Sequence, residues 1–252
     1  MKKTLLLFIA VIGLSCTKEE FDSISLSISQ KSLNTEEVYQ IEADSNSKII
    51  YSTENEYHSK VTPSGMVTAK FVGETNILLE NAEDSKTIKI IVEPKYNTYP
   101  EPEFEFGDTK NDIIHNFGEN YEEISLEDEG NFTLLGYNNY FNKAPIILFV
   151  LDSDQKIASY AVLIHNEYVT ELAGFLTERY LAYAEQEETF YFINQLDYEN
   201  ASLLLGLGVY NEDYVIVQYF DTSTPDSMEN YKTSSTITKP KMKDLMKKWI
   251  IK

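Results

Sequence analysis

The chain has 252 residues with 21 basic against 41 acidic side chains, a formal net charge of −20 and a single cysteine. Such a charge repels a polyanion wherever it approaches the body, which excludes nucleic acid as a partner, and one cysteine excludes an internal disulfide and a thiolate metal cluster. A composition 42% hydrophobic and 13% aromatic is that of a folded protein of one to three domains, not of a disordered chain.

The first sixteen residues, MKKTLLLFIAVIGLSC, place Lys2 and Lys3 ahead of an apolar run from Leu5 to Ile12, then small residues around Cys16. This order reads as a signal peptide over residues 1–15. The apolar run is about half of the ~20 residues that a spanning helix needs. Gly13-Leu14-Ser15-Cys16 resembles the lipobox of bacterial lipoproteins. That resemblance implies cleavage before Cys16, diacylation of its thiol and acylation of the new amino terminus. Three acyl chains exceed the two signals that stable anchoring requires, each buried methylene contributing about 0.8 kcal/mol. Thr17, Lys18, Glu19 and Glu20 resemble the lysine-acidic export signal of Bacteroidetes surface lipoproteins. The implied location is the outer membrane, with residues 16–21 as a lipidated tether and the protein displayed on the cell surface; the periplasmic face is the alternative.

Between residues 22 and 93 short β-prone runs alternate with polar turns: Ile24 to Ile28, Val38 to Ala43, Lys48 to Ser52, Met66 to Phe71, Thr75 to Glu80 and Lys86 to Val92. Strand-length runs at this spacing, with no sustained helical period, predict a small β-sandwich. Pro63-Ser64-Gly65 supplies turn chemistry, and Gly73 a backbone position without side-chain clash. The stretch from Val61 to Ile77, VTPSGMVTAKFVGETNI, resembles the signature of bacterial immunoglobulin-like group 2 domains. Membership implies an all-β immunoglobulin-like sandwich serving as spacer or adhesive module, with no catalytic residues.

Pro94, Pro100 and Pro102 mark residues 94–102 as a linker. Beyond it, a shift of 58 residues pairs Ile114 with Leu172, Phe117 with Phe175, Phe132 with Phe190 and Tyr140 with Tyr198. The expectation for residues 103–230 is therefore an α+β domain of two helix-plus-three-strand repeats with a mainly antiparallel sheet. Thr109 caps the first helix together with Asp112; Asn166 caps the second, whose stripe runs through Val169, Leu172, Ala173, Leu176, Tyr180 and Tyr183. The expected strands are Phe132 to Tyr137, Ile146 to Leu151, Ile157 to Ile164, Phe190 to Asn194, Leu203 to Val209 and Tyr214 to Phe220. By fold analogy alone this arrangement resembles β-lactamase inhibitor protein-like domains.

Alternation puts Leu203, Leu205, Leu207 and Val209 on one face, with Ile147, Phe149 and Leu151, the heavier set expected to meet the helices, and leaves a second apolar face without an assigned cover. Fifteen of the eighteen tyrosines follow residue 94, and such rings suit glycan stacking or protein interfaces as well as simple sheet packing. Tyr160, Tyr191 and Tyr210 are the candidate ligand platform. The basic tail 231–252, seven lysines against Asp244, places Leu245, Met246, Trp249 and Ile250 on one side of a short helix. It either docks on the open sheet face, binds a membrane surface or stays free.

No catalytic motif is present: His58, His115 and His165 have no metal-ligand spacing, no serine lies in G-x-S-x-G, and no glycine-rich phosphate loop occurs. Asp152 and Asp154 lack the further ligands of a calcium loop. The sequence thus reads as a non-catalytic lipoprotein, without metal or cofactor, that recognises an extracellular glycan or protein through its carboxyl-terminal domain. A protein-binding inhibitor or envelope assembly factor is the alternative.

Overall fold

The computed structural model describes residues 21–126, 131–186 and 189–223. Cys16, the expected export signal at Thr17 to Glu20 and the basic tail therefore lie outside the described residues.

Nine short strands build the first module: β1 (Ser25–Leu26), β2 (Gln30–Asn34), β3 (Val38–Gln40), β4 (Ala43–Asp44), β5 (Ile50–Thr53), β6 (Ser59–Val61), β7 (Met66–Ala69), β8 (Gly73–Glu80) and β9 (Ser85–Glu93). The longest two alternate strictly, burying Ile77 and Leu79 of β8 and Ile88, Ile90 and Val92 of β9. They sit at the centre of a four-stranded sheet in the order β2-β9-β8-β5, in which β2 runs parallel to β9. A three-stranded sheet, β3-β7-β6, turns Val67 and Ala69 onto the same core, and Leu33, Ile24 and Ile41 close it. β2 and β6 are absent from the expected strands because QKSLN and SKV are polar at most positions.

The second module is built around one antiparallel sheet of eight strands. Its elements are α1 (Lys110–Phe117), β10 (Glu122–Leu126), β11 (Phe132–Asn138), β12 (Ile146–Leu151), β13 (Ile157–His165), a 3-10 turn at Asn166–Tyr168, α2 (Val169–Thr177), β14 (Leu181–Gln186), β15 (Thr189–Ile193), β16 (Leu203–Val209) and β17 (Tyr214–Asp221). The strand order is β10-β11-β12-β13-β17-β16-β15-β14, so the middle strands are β13 and β17, paired from Ser159↔Phe220 to His165↔Tyr214.

This overturns the expected fold class. The chain is dominated by strands, and its two helices among the described residues have only eight and nine residues, so it is not an α+β domain of two helix-plus-three-strand repeats. Two physical reasons account for the difference. β10 and β14 are the outer strands of the sheet, and their sequences EEISL and LAYAEQ carry the charge that exposed sheet edges need. LAYAEQ also consists largely of good helix formers, which extended the apparent helical stripe to Tyr183. The real helix α2 ends at Thr177. Its last carbonyls are closed off there: Leu176 O accepts the N–H groups of Arg179 at 3.2 Å and Tyr180 at 2.8 Å, and Phe175 O accepts Arg179 Nη1 at 3.2 Å. Tyr183 belongs to β14. The start of α1 is as expected, with the Asp112 carboxylate accepting the Thr109 N–H at 2.8 Å.

Both helices lie on the sheet face predicted by alternation. Ile113, Leu172, Phe175 and Leu176 pack with Leu135, Ile147, Phe149, Leu151, Val162, Leu205 and Val217 in the largest core. The opposite face carries Leu134, Ile146, Leu148, Val150, Ala161, Leu163, Ile193, Leu204, Ile216 and Phe220, all buried.

Candidate functional site

Segment 94–102 joins the modules without regular secondary structure, and its prolines leave the remaining backbone N–H groups to find partners elsewhere. Those of Lys95 and Tyr96 are taken by one carboxylate: Glu178 accepts them at 2.9 and 3.1 Å. Glu178 follows α2 directly and is only 5% exposed. Its charge is met by the guanidinium of Arg179, the one arginine of the chain, which also donates to Tyr96 O at 3.2 Å and lies 3.9 Å over the Phe175 ring.

The backbone of the same two residues faces the first module. Val72 N–H donates to Glu178 O at 2.8 Å, and the hydroxyl of buried Tyr57 donates to Arg179 O at 2.7 Å while lying 3.1 Å from Ile193 O. Tyr57 is fixed by stacking on Phe71, centroids 4.4 Å apart. Glu178 and Arg179 thus bind the linker through their side chains and the first module through their carbonyls.

Further along, the linker enters the core of the second module. Tyr99 is 2% exposed, its ring rests on Phe175 at 4.7 Å, and its hydroxyl shares a hydrogen bond with that of Tyr219. Glu101 accepts the Tyr180 hydroxyl, has Tyr219 Oη at 3.4 Å and Arg179 Nε at 3.5 Å. Burial raises the Glu101 pKa, the hydrogen bonds and Arg179 opposing it in part. Burial, assisted by the Glu101 charge, also pushes Tyr99, Tyr160 and Tyr180 well above the usual tyrosine range, so these hydroxyls are neutral hydrogen-bond donors and poor proton acceptors.

The modules meet along two concavities. A groove of about 800 Å³ is walled by Thr35, Glu36, Thr68, Lys70 and Phe71 of the first module, Lys95 and Tyr96 of the linker, and Thr177 and Leu196 of the second. Tyr96 and Leu196 are 40% and 42% exposed. The Tyr96 ring lies against α2 at Gly174, where a Cβ would come within 2.5 Å of it. That contact explains a glycine inside a helix despite a cost of about 1 kcal/mol relative to alanine. A smaller pocket of about 290 Å³ is lined by Asn55, Tyr57, His58, Glu101, Arg179, Tyr180 and Asn194. Gly73, at φ 138°, leaves room for the His58 ring, which would lie 2.3 Å from a Cβ there.

The residues expected as a ligand platform are not brought together. Tyr160 is 7% exposed on the helix-bearing face, stacked on Tyr219 at 4.4 Å, where its large apolar ring helps fill the core. Tyr191 and Tyr210 are half-buried among the clusters of the opposite face. An exposed ring lies elsewhere, Tyr183, stacked on half-buried Tyr198 at 5.1 Å. Asp152 is used by its own hairpin, accepting the N–H groups of Asp154 and Lys156 at 2.8 and 3.0 Å. No cluster of three potential metal ligands occurs among the described residues. No helix among them is long and apolar enough to cross a membrane.

Tyr57, Tyr96, Glu178 and Arg179 were not legible as site residues. The single arginine, beside a glutamate at the end of a helical stripe, was the available signal, but its partners lie about 80 residues away in the linker. Comparison with known proteins adds no assignment, since no protein-family model and no curated protein matches the chain.

The raised pKa of Glu101 means that the fold binds this proton more tightly than the unfolded chain does. The stability so contributed is full below the ordinary carboxylate range and is lost as pH rises through the raised value. Glu101→Gln removes that titration. Measured by thermal unfolding from acid to neutral pH, the wild-type midpoint should fall relative to the variant as pH rises through this window. Parallel profiles, or a wild-type advantage that grows with pH, would contradict the assignment.

Proposed function

We propose that this chain is a lipid-anchored, non-catalytic protein of the bacterial outer-membrane surface that holds an extracellular oligosaccharide in the groove between its two modules. The observation that carries the reading is Tyr96: a half-exposed ring, seated against Gly174, in a groove that also offers Lys70, Lys95 and threonine hydroxyls. A sugar presents an apolar face of C–H groups and a rim of hydroxyls, and a tyrosine ring among polar side chains matches both. Because the walls are tied by Glu178 and Arg179, little freedom is lost when a ligand enters.

The non-catalytic part of the reading rests on how the ionisable groups are used. Glu101, Glu178 and Arg179 bind one another, the linker and neutral tyrosines, an arrangement that holds shape and offers no activated nucleophile beside a free base. The anchor rests on the lipobox-like Gly13-Leu14-Ser15-Cys16, and the immunoglobulin-like resemblance of residues 22–93 fits a spacer that carries the groove away from the membrane.

Retention of the whole chain on a broad glycan array at physiological salt tests the ligand. Tyr96→Ala should weaken it about tenfold or more, as loss of an aromatic anchor does. Phe141→Ala, an exposed ring that does not line the groove, should leave it unchanged. Silence across the array would contradict a glycan and turn attention to a protein partner; equal losses in both variants would contradict the groove. The anchor is tested by detergent phase partitioning of cell extracts, where Cys16→Ala should move the protein from the detergent to the aqueous phase. An unchanged distribution would sink it.

A further inference from the structure

The second face of the eight-stranded sheet poses a covering problem. Leu134, Leu163 and Ile193 on it are 0% exposed and Leu148 is 1%, as dry as residues under the helices on the first face. Yet its apolar clusters are made of strand residues with Tyr198, Ala201 and Tyr210 from connecting loops, and neither helix contributes to them. Strand neighbours alone do not shield side chains standing perpendicular to a sheet; a layer above them is required.

We propose that the carboxyl-terminal segment 224–252 is that layer, docking across β12, β13, β17 and β16 as an intramolecular strap. Four observations select this occupant. The described chain ends at Ser223, just past β17, so the segment departs from a central strand; Thr222 N–H is held to Ser202 O at 3.1 Å at that end. Its length is sufficient: the linking residues 224–240 can span about 50 Å when extended. A helix over 241–252 would be about 18 Å long, against roughly 30 Å for β13. Its pattern is right, because Met242, Leu245, Met246, Trp249 and Ile250 recur at spacings of three and four and form one apolar stripe. Its charge is right as well. Five lysines, Lys241, Lys243, Lys247, Lys248 and Lys252, flank that stripe, and both ends of the sheet carry acids: Asp152, Asp154, Asp197, Glu199 and Asp221 where β17 ends, Glu212 and Asp213 where it begins.

Trp249 is the only tryptophan of the chain, so its fluorescence reports on the segment alone. The experiment uses the full chain carrying Cys16→Ser, which removes the acylation site, in lipid-free buffer. Docking predicts blue-shifted emission and acrylamide quenching several-fold weaker than in the urea-unfolded chain. Ala161→Glu, which puts a charge at the middle of the face, should shift the emission red and restore full quenching. Should that variant not fold, the double variant Leu245→Glu, Ile250→Glu leaves the sheet untouched and should have the same effect, together with a gain of apolar-dye binding. The proposal is overturned if Trp249 in the native chain is quenched as freely as in urea. It is equally overturned if protection appears only on adding anionic phospholipid vesicles, which would make the segment a membrane binder, or only where sedimentation shows a dimer, which would make a second copy the cover.

Discussion

The carboxylate of Glu178 is the contact on which the arrangement of the two modules depends. Buried at the end of α2, it takes the N–H groups of Lys95 and Tyr96 and balances the Arg179 guanidinium. Its removal would leave two backbone donors without an acceptor and a cation, itself little exposed, with a weaker partner in Glu101 at 3.5 Å. Each unsatisfied buried donor costs about 1–3 kcal/mol. Breaking a buried ion pair costs about 3–5 kcal/mol. The carbonyls of the same two residues receive Val72 and Tyr57 from the first module, so linker, helix end and the opposing module share one hydrogen-bond network.

That network gives the proline-rich segment a role beyond spacing. Thr98 and Tyr99 are fully or almost fully buried, Tyr140 donates to Pro100 O, and Glu101 sits among Tyr180, Tyr219 and Arg179. A linker so embedded orients what it joins. The groove is a consequence: its walls come from different modules and its Tyr96 ring from the linker, so its shape persists only while the network holds.

Local patterns carried much of the second module's sheet. Ile147, Phe149 and Leu151 face the helices as period-two alternation requires, and Thr109 with Asp112 opens α1. Features set by non-local partners were hidden. EEISL and LAYAEQ form strands because each pairs with a neighbour at a sheet edge, against the helical propensity of the second. Tyr160 looked free to form a platform because nothing near it in sequence shows the ring of Tyr219 that covers it. Nothing local marks Glu178 and Arg179, because their partners are some 80 residues distant in the linker and more than 100 residues distant in the first module.

Two modules welded through one buried network have to unfold together. Differential scanning calorimetry of the whole chain tests this most directly. The account predicts a single transition whose calorimetric and van 't Hoff enthalpies agree. Two separable transitions, with the first module melting independently of the second, would contradict it.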